Sequence, residues 1–365
     1  MPNTIFNLSF VNHMISANMH LSMRILGIET SCDETAISIV ECSGNIASPH
    51  FTIIDSIINS QASLHAQYGG VFPTLAKREH IKNLPILLET LMQKHDQKNI
   101  DAIAVTQGPG LEPALWTGIV FAKELGAQWN VPIIPTNHME GHIISPLLQA
   151  HQEEVRFPAI ALLISGGHTQ LIKVSSWGHY EIIGDTKDDA VGEAFDKVAR
   201  ILGLPYPGGP HISRHAALGR VRHTISPFAC PRPMLHSKDY HFSFSGLKTH
   251  VLYAAQKIGE PTPEEVEDIA QGFEDAVTEV LTKKTFKAIE DTGACSLIIG
   301  GGVVANTHIR ETFTQLCKEH NISLFLPTQE ASTDNALMIA AAGYITYLKG
   351  NLDTTDFKAD GNLAL

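Results

Sequence analysis

Residues 24–41 read RILGIETSCDETAISIVE, and residues 159–174 read AIALLISGGHTQLIKV. Each is an apolar run, a short turn of small and polar residues, and a second apolar run, which is the pattern of a β-hairpin. The turns are Thr30–Thr35 and Ser165–Thr169, and the hairpins start about 135 residues apart. Matching turn chemistry at that separation predicts a duplicated α/β fold with a cleft between its halves. A third stretch, SLIIGGGVVAN at 296–306, runs from an apolar strand through three glycines into a helical pattern. Helices are expected over Pro73–Lys94, Pro113–Trp129, Asn137–Gln149, Asp188–Leu202 and Pro263–Glu290, and strands over 101–107 and 131–136.

A chain of 365 residues predicts two domains, or one large split one, at roughly 150 residues per domain. With 44% apolar and 18% charged residues, disordered and collagen-like chains are excluded. No stretch approaches the ~18 uninterrupted apolar residues of a membrane span. The net charge of −12 repels nucleic acid, so an RNA partner needs a local basic face. Cys32, Cys42, Cys230, Cys295 and Cys317 are odd in number, scattered and free of any CxxC, which points to a reducing cytoplasm rather than a disulfide framework. Residues 1–22 contain no Lys or Arg and do not fit a secretory signal. They are expected to form a flexible extension, followed by an N-terminal lobe (23–157), a C-terminal lobe (158–330), and a final helix and tail (331–365) packing back on the first lobe.

Gly and Ser in a tight turn leave successive backbone N–H groups free to bind an anion. Gly166 and Gly167 also admit a ligand where a Cβ would block it. Gly300–Gly302 offer the same at a strand-to-helix junction. Together these turns suggest a nucleotide gripped between two lobes. No GxxxxGK[ST] or GxGxxG occurs, so neither a P-loop nor a dinucleotide fingerprint is supported.

In Asn137-His138-Met139-Glu140-Gly141-His142, Asn137 is a suitable helix N-cap. Residues four apart share a helix face, so His138 and His142 can grip one divalent ion or can equally be two surface histidines. Asp334 is a candidate third ligand, with helix capping as its ordinary alternative. A metalloprotease is disfavoured: Met139 stands where HExxH requires Glu, and Glu140 points off the metal face. Asp196, in the acidic segment 188–197, and Gly209 suit a nucleoside contact. Between Gly208 and Lys248, Arg214, Arg220, Arg222, Arg232, Lys238 and Lys248 stand against Asp239 alone. That basic window fits either RNA contact or a solvated surface.

ETSCDETAISIV, NHMEGH, ISGGHTQL, DDAVGEAFDKVARILGLPYPGGP, FSFSGLKT, GGGVVAN and STDNALMIAAAGY stand in one order over Arg24 to Lys349. In that order and spacing the chain resembles the tRNA threonylcarbamoyladenosine transferases (TsaD), formerly the Gcp or O-sialoglycoprotein endopeptidase family. The resemblance implies the actin/Hsp70/sugar-kinase fold (ASKHA), with two lobes and an interlobe cleft. It implies transfer of a threonylcarbamoyl group from threonylcarbamoyl-adenylate to N6 of adenosine 37 in tRNAs reading ANN codons, with release of AMP. It further implies one divalent metal on His138, His142 and Asp334, iron as Fe(2+) by the family's usual assignment and zinc as the alternative. Substrate contacts carry over to Leu163, Ile164, Ser165, Gly166, Gly167, Asp196, Gly209 and Asn306. The implied partners are tRNA, a TsaB-like paralogue and a TsaE-like ATPase, with no membrane.

Beside the resemblance, Asp33 and Glu34 are candidates to take a proton from the attacking amine. Arg214, Arg220, Arg222 and Arg232 are the candidate tRNA contacts. Thr74, Glu112-Pro113-Ala114 and Ser213 depart from the family pattern. Two rival readings are an ATP-dependent small-molecule kinase of the same superfamily and a non-catalytic scaffold paralogue. The histidine pair argues against both.

Overall fold

The computed structural model describes residues 22–149, 154–329, 331–350 and 356–365. Residues 1–21, most of the expected N-terminal extension, lie outside the described residues.

The first half builds β1 (Met23–Glu29), β2 (Glu34–Asn45), β3 (Ser48–Ser60), α1 (Ala62–Ala66), α2 (Pro73–Met92), β4 (Ala102–Gly108), α3 (Glu112–Trp129), β5 (Ile133–Asn137) and α4 (His138–Ile144). The second half builds β6 (Ala159–Ile164), β7 (Thr169–Ser176), β8 (His179–Asp185), α5 (Val191–Ile201), α6 (Gly208–Arg222), α7 (Ser245–Ile258), α8 (Pro263–Thr292), β9 (Ser296–Gly300), α9 (Thr307–His320), β10 (Ser323–Phe325) and α10 (Ala336–Leu348). The sheets run β3-β2-β1-β4-β5 and β8-β7-β6-β9-β10. In each, the first three strands pair antiparallel and the last two join parallel. The same strand order and sense in both sheets is the duplication that the two hairpins predict.

The central strands are apolar on both faces because both faces are covered. β6 is buried at all six positions, whereas the edge strands β3 and β8 leave many side chains to solvent. Helices α2 and α3 cover the outer face of the first sheet, where Leu84, Leu87, Leu91, Ile119 and Ala122 join Leu26, Ile28, Ile103 and Val105 in one core. Phe195, Phe273, Val277, Leu281 and Phe313 do the same for the second sheet. A middle core takes residues from both sheets together with α4 and α10, among them Ile25, Ala104, Met139, Ala161, Leu163, Met338 and Ala341. Helix α10 is therefore apolar all round, with residues 336–345 buried throughout. It packs so closely that a Cβ on Gly27 would lie 2.2 Å from the Ala336 carbonyl oxygen.

Three expectations are corrected. The helix expected over Asn137–Gln149 ends at Ile144 and gives way to a 3₁₀ turn, Ser145–Leu148, with Pro146 inside it. The helix expected from Asp188 begins at Val191, and Asp188 serves another purpose. Its carboxylate accepts from the N–H groups of Phe244 and Ser245 and the hydroxyls of Ser243 and Ser245, fixing the start of α7. The window 208–248, read as one basic surface, begins as helix α6 and ends in the first turn of α7, with residues 223–244 between them outside any helix or strand.

Candidate active site

Asn137 ends β5 and caps α4, its Oδ1 accepting from Met139 N at 2.8 Å and Glu140 N at 3.3 Å. The cap starts the helix at His138, so His138 and His142 stand one turn apart and meet edge to face, with ring centroids 4.7 Å apart. At the start of α10, Asn335 provides the cap by accepting from Met338 N at 3.0 Å. Asp334 is thereby left free, and its Oδ1 lies 3.5 Å from His138 Nε2 and 3.2 Å from His142 Nε2. One ligand atom from each of the three residues falls within 4.8 Å of the others. Ligand atoms about 2 Å from a shared ion would stand roughly 3–3.5 Å apart, so the two Asp334-to-imidazole separations fit a metal.

Two observations of the donor set agree. Among the described residues, His142 Nδ1 is buried without a hydrogen-bond partner, and its Nε2 faces the Asp334 carboxylate. His138 turns its other nitrogen, Nδ1, toward Glu29 Oε2 at 3.1 Å and Ser31 Oγ at 3.2 Å, leaving Nε2 to face Asp334. A carboxylate on the far nitrogen of a ligating histidine sets its tautomer and raises its basicity. Glu29 is fully buried at the end of β1 and also accepts from Thr106 Oγ1 at 2.7 Å and from Ser31 N. Burial opposes charge on His138, but the Asp334 and Glu29 carboxylates outweigh it and hold the imidazole well above its usual range. The same imidazoles hold Asp334 far below the usual carboxylate range against its burial. The site demands positive charge, which a divalent ion would supply.

Around this triad stand the other candidates. Burial first, then the Asp334 and Asp33 carboxylates, push Glu34 up to about 9. Asp33 is also buried rather than solvent-facing. Leu163 and Ile164 close β6, and Ser165 Oγ accepts from His168 N at 3.0 Å, shaping the turn. A Cβ on Gly166, Gly167 or Gly209 would meet nothing within 4 Å, so these backbones border open space. Asp196 accepts from Gly208 N at 2.7 Å, and burial raises its carboxyl. Asn306 caps α9 through Ile309 N at 3.0 Å and donates to Glu274. A Cβ on Gly300 would lie 2.3 Å from the His142 carbonyl oxygen and one on Gly301 2.5 Å from that of Ile164, which sets the start of the Ser165–His168 turn beside α4. The C-terminal segment walls a cavity of about 230 Å³ next to His168, with Asn137 Nδ2 donating to Ala364 O at 2.9 Å. Glu140 lies off the metal face, buried and accepting from Tyr180 OH at 2.8 Å.

The arginines differ from expectation. Arg220 pairs with Glu274 and Asp275, Arg222 with Glu267 and Asp268, and Arg232 with Glu279, all on α8. Three of the window's six basic residues are thus paired with α8, and Arg214, Lys238 and Lys248 have no ion pair among the described residues; of the four arginines, Arg214 alone is exposed without one. Thr74 and Glu112 lie exposed in the first turns of α2 and α3. Glu29 is the residue that sequence reasoning missed; its signal was a charge closing the apolar run ILGI.

Two copies of one sheet topology, with a histidine–carboxylate triad and an open glycine turn between them, place the chain in the actin/Hsp70/sugar-kinase class of two-lobed α/β folds. Solved structures of HypF share the fold, one in a phosphate- and nucleotide-bound form and one from T. kodakarensis, each with a TM-score of 0.55. They are 12% and 14% identical, and this chain spans about half of each (48% and 49%) while 92% and 93% of it is covered. A family profile described as TsaD, tRNA N6-adenosine threonylcarbamoyltransferase, matches residues 52–341. Curated proteins of that description from Aromatoleum aromaticum and Thermosipho africanus are 45% and 44% identical. The alignments cover 90% and 94% of this chain and 92% and 100% of theirs. The chain belongs to the TsaD family of tRNA N6-adenosine threonylcarbamoyltransferases and is an acyltransferase acting in tRNA modification.

Proposed function

We propose that this chain transfers the threonylcarbamoyl group of threonylcarbamoyl-adenylate to N6 of adenosine 37 in tRNAs reading ANN codons. The amine nitrogen bonds to the carbamoyl carbon, the bond from that carbon to the phosphate oxygen breaks, AMP leaves with the electron pair, and the amine gives up one proton. The observation that carries this reading is the convergence of His138, His142 and Asp334 beside the open Ser165–Gly167 turn.

The adenylate is already activated, so the chain's task is placement and charge stabilisation. Backbone N–H groups of the Ser165–Gly167 turn would hold the phosphate, with Leu163 and Ile164 closing the strand beneath. Asp196, Gly209 and Asn306 would fix the nucleoside. Asp33 would receive the proton of the attacking amine, with the protonated Glu34 orienting it and Glu29 keeping His138 in register. His138, His142 and Asp334 would hold a divalent ion, Fe(2+) before Zn, which polarises a carbonyl oxygen when bound. Arg214 remains the candidate backbone contact for tRNA, since the other arginines are engaged.

A TsaB-like paralogue would meet the apolar side chains left exposed around α1–α3, which include Tyr68, Phe72, Ile81, Ile86, Trp116 and Val120. A TsaE-like ATPase would act on that assembly, and a tRNA substrate would go with a cytoplasmic protein. No described helix is long and apolar enough to cross a membrane. The test is incubation with threonylcarbamoyl-adenylate and tRNA, with and without the two partners, followed by mass spectrometry of nucleosides. Modified adenosine that disappears in His138→Ala/His142→Ala is expected. Product from the intact fold in that variant would remove the triad from the mechanism.

A further inference from the structure

His80 lies on α2, fully buried, and its ring bonds to none of the three triad residues among the described residues. Its Nε2 is 3.0 Å from the carbonyl oxygen of Cys32. A carbonyl only accepts, so Nε2 carries the hydrogen and Nδ1 the lone pair. Two donors face that lone pair: Thr35 Oγ1 at 2.8 Å and Gln61 Nε2 at 3.3 Å. The orientation of the Gln61 amide is fixed in turn, because its nitrogen also faces Ala76 O at 3.4 Å and its oxygen lies 3.2 Å from His65 Nε2. His65 completes the pattern, its Nδ1 accepting from Phe72 N at 3.2 Å.

Every proton therefore points one way. Phe72 N–H donates to His65, His65 to Gln61, Gln61 to His80, and His80 to Cys32 O. Gln61 also donates its own backbone N–H to Asp33 O at 2.9 Å. On the opposite side, Leu111 N donates to Ser31 O at 2.8 Å. Three successive carbonyls of the turn that presents Asp33 and Glu34 are thus held by groups outside it. The His80 bond is the one of the three made by a side chain.

We infer that His80 is a positioning residue for the transfer: by donating to Cys32 O it holds the 31–34 turn so that the Asp33 and Glu34 carboxyls face the triad. The inference rests on the transfer reading above. Misplacing a reacting group by about 1 Å costs on the order of 100-fold in rate. A neutral relay of this kind also needs no proton to enter or leave during turnover, and burial keeps His80 below its usual titration range.

The test compares His80→Gln with His80→Asn in the metal-loaded full chain. The Gln amide nitrogen reaches the place of Nε2 and keeps the donor; the Asn amide stops near Nδ1 and loses it. The Asn variant should lose about 100-fold in kcat, with KM for the adenylate and bound metal within about twofold. The Gln variant should stay within about fivefold of the parent. Hydrogen exchange of a peptide spanning residues 28–36 should rise in the Asn variant and not in the Gln variant. Parent-like turnover and exchange in the Asn variant, or equal loss in both, overturns the inference. Absence of transfer by the parent chain would instead sink the transfer reading, and the exchange comparison still decides the role of His80. Long-range proton–nitrogen spectra of histidine-labelled parent protein need no variant. They should show His80 as the Nε2–H tautomer, and an Nδ1–H tautomer overturns the relay.

Discussion

The chemistry of single side chains is set here by what surrounds them more than by what they are. Burial first, then the His138 and His142 imidazoles, push His168 down to about 4. Above its ordinary value of about 6.5, folded and unfolded chains both keep that ring neutral. Below it the unfolded chain takes up a proton that the folded ring refuses until about pH 4, so stability is lost as pH falls through that window. Replacing His168 with Gln removes this contribution. The Tm of the variant relative to the parent should rise as pH is lowered from about 7 to about 4.5, and a constant difference would show that His168 does not bear the cost. The sequence displays some of these residues and hides others. His138 and His142 are legible because helical spacing alone puts them on one face. Glu29 is not, because a charge closing a short apolar run ordinarily reaches water; here Thr106 on β4 and His138 on α4 enclose it.

Elements were read best where the pattern is local. The two hairpins and their glycine turns appear in the sheets as the apolar runs foretell, because central strands need apolar residues on both faces. The basic window was only partly legible for the opposite reason. Its charge was counted along 208–248, while its neutralising carboxylates sit on α8, which packs against α6. Arg220 bridges Asp275 and the fully buried Glu274, and Glu274 also takes the Asn306 amide. Arg220→Ala should therefore destabilise the protein by about 3 kcal/mol, since it strands a buried carboxylate. The urea midpoint reads this, and adding Glu274→Gln should restore much of the loss by discharging the stranded group. If the double variant is as weak as the single one, packing rather than charge is responsible. A charge reversal at Arg220 would thus report on the α6–α8 seam before it reported on RNA.

At the scale of the molecule, the third member of the triad could not be placed from sequence because it depends on a crossover. The chain leaves the second sheet at β10, passes Asp334, and enters α10, which lies against β1, β2, β4 and β5 of the first. A ligand on that crossover meets two on α4, nearly two hundred residues earlier in the chain. An ion held there would bind the folded arrangement and not the loose one, and so stabilise it. Chelation should open the chain around Asp334, residues 331–335, locally before the protein unfolds. Limited proteolysis with mapped cleavage sites checks this: new cuts within that segment are expected on chelation, with the rest of the pattern preserved, and identical patterns would count against it. A compound that withdraws the ion would then act twice, once by disarming the chemistry and once by unfastening the strap of chain that leads from one half of the enzyme back into the other.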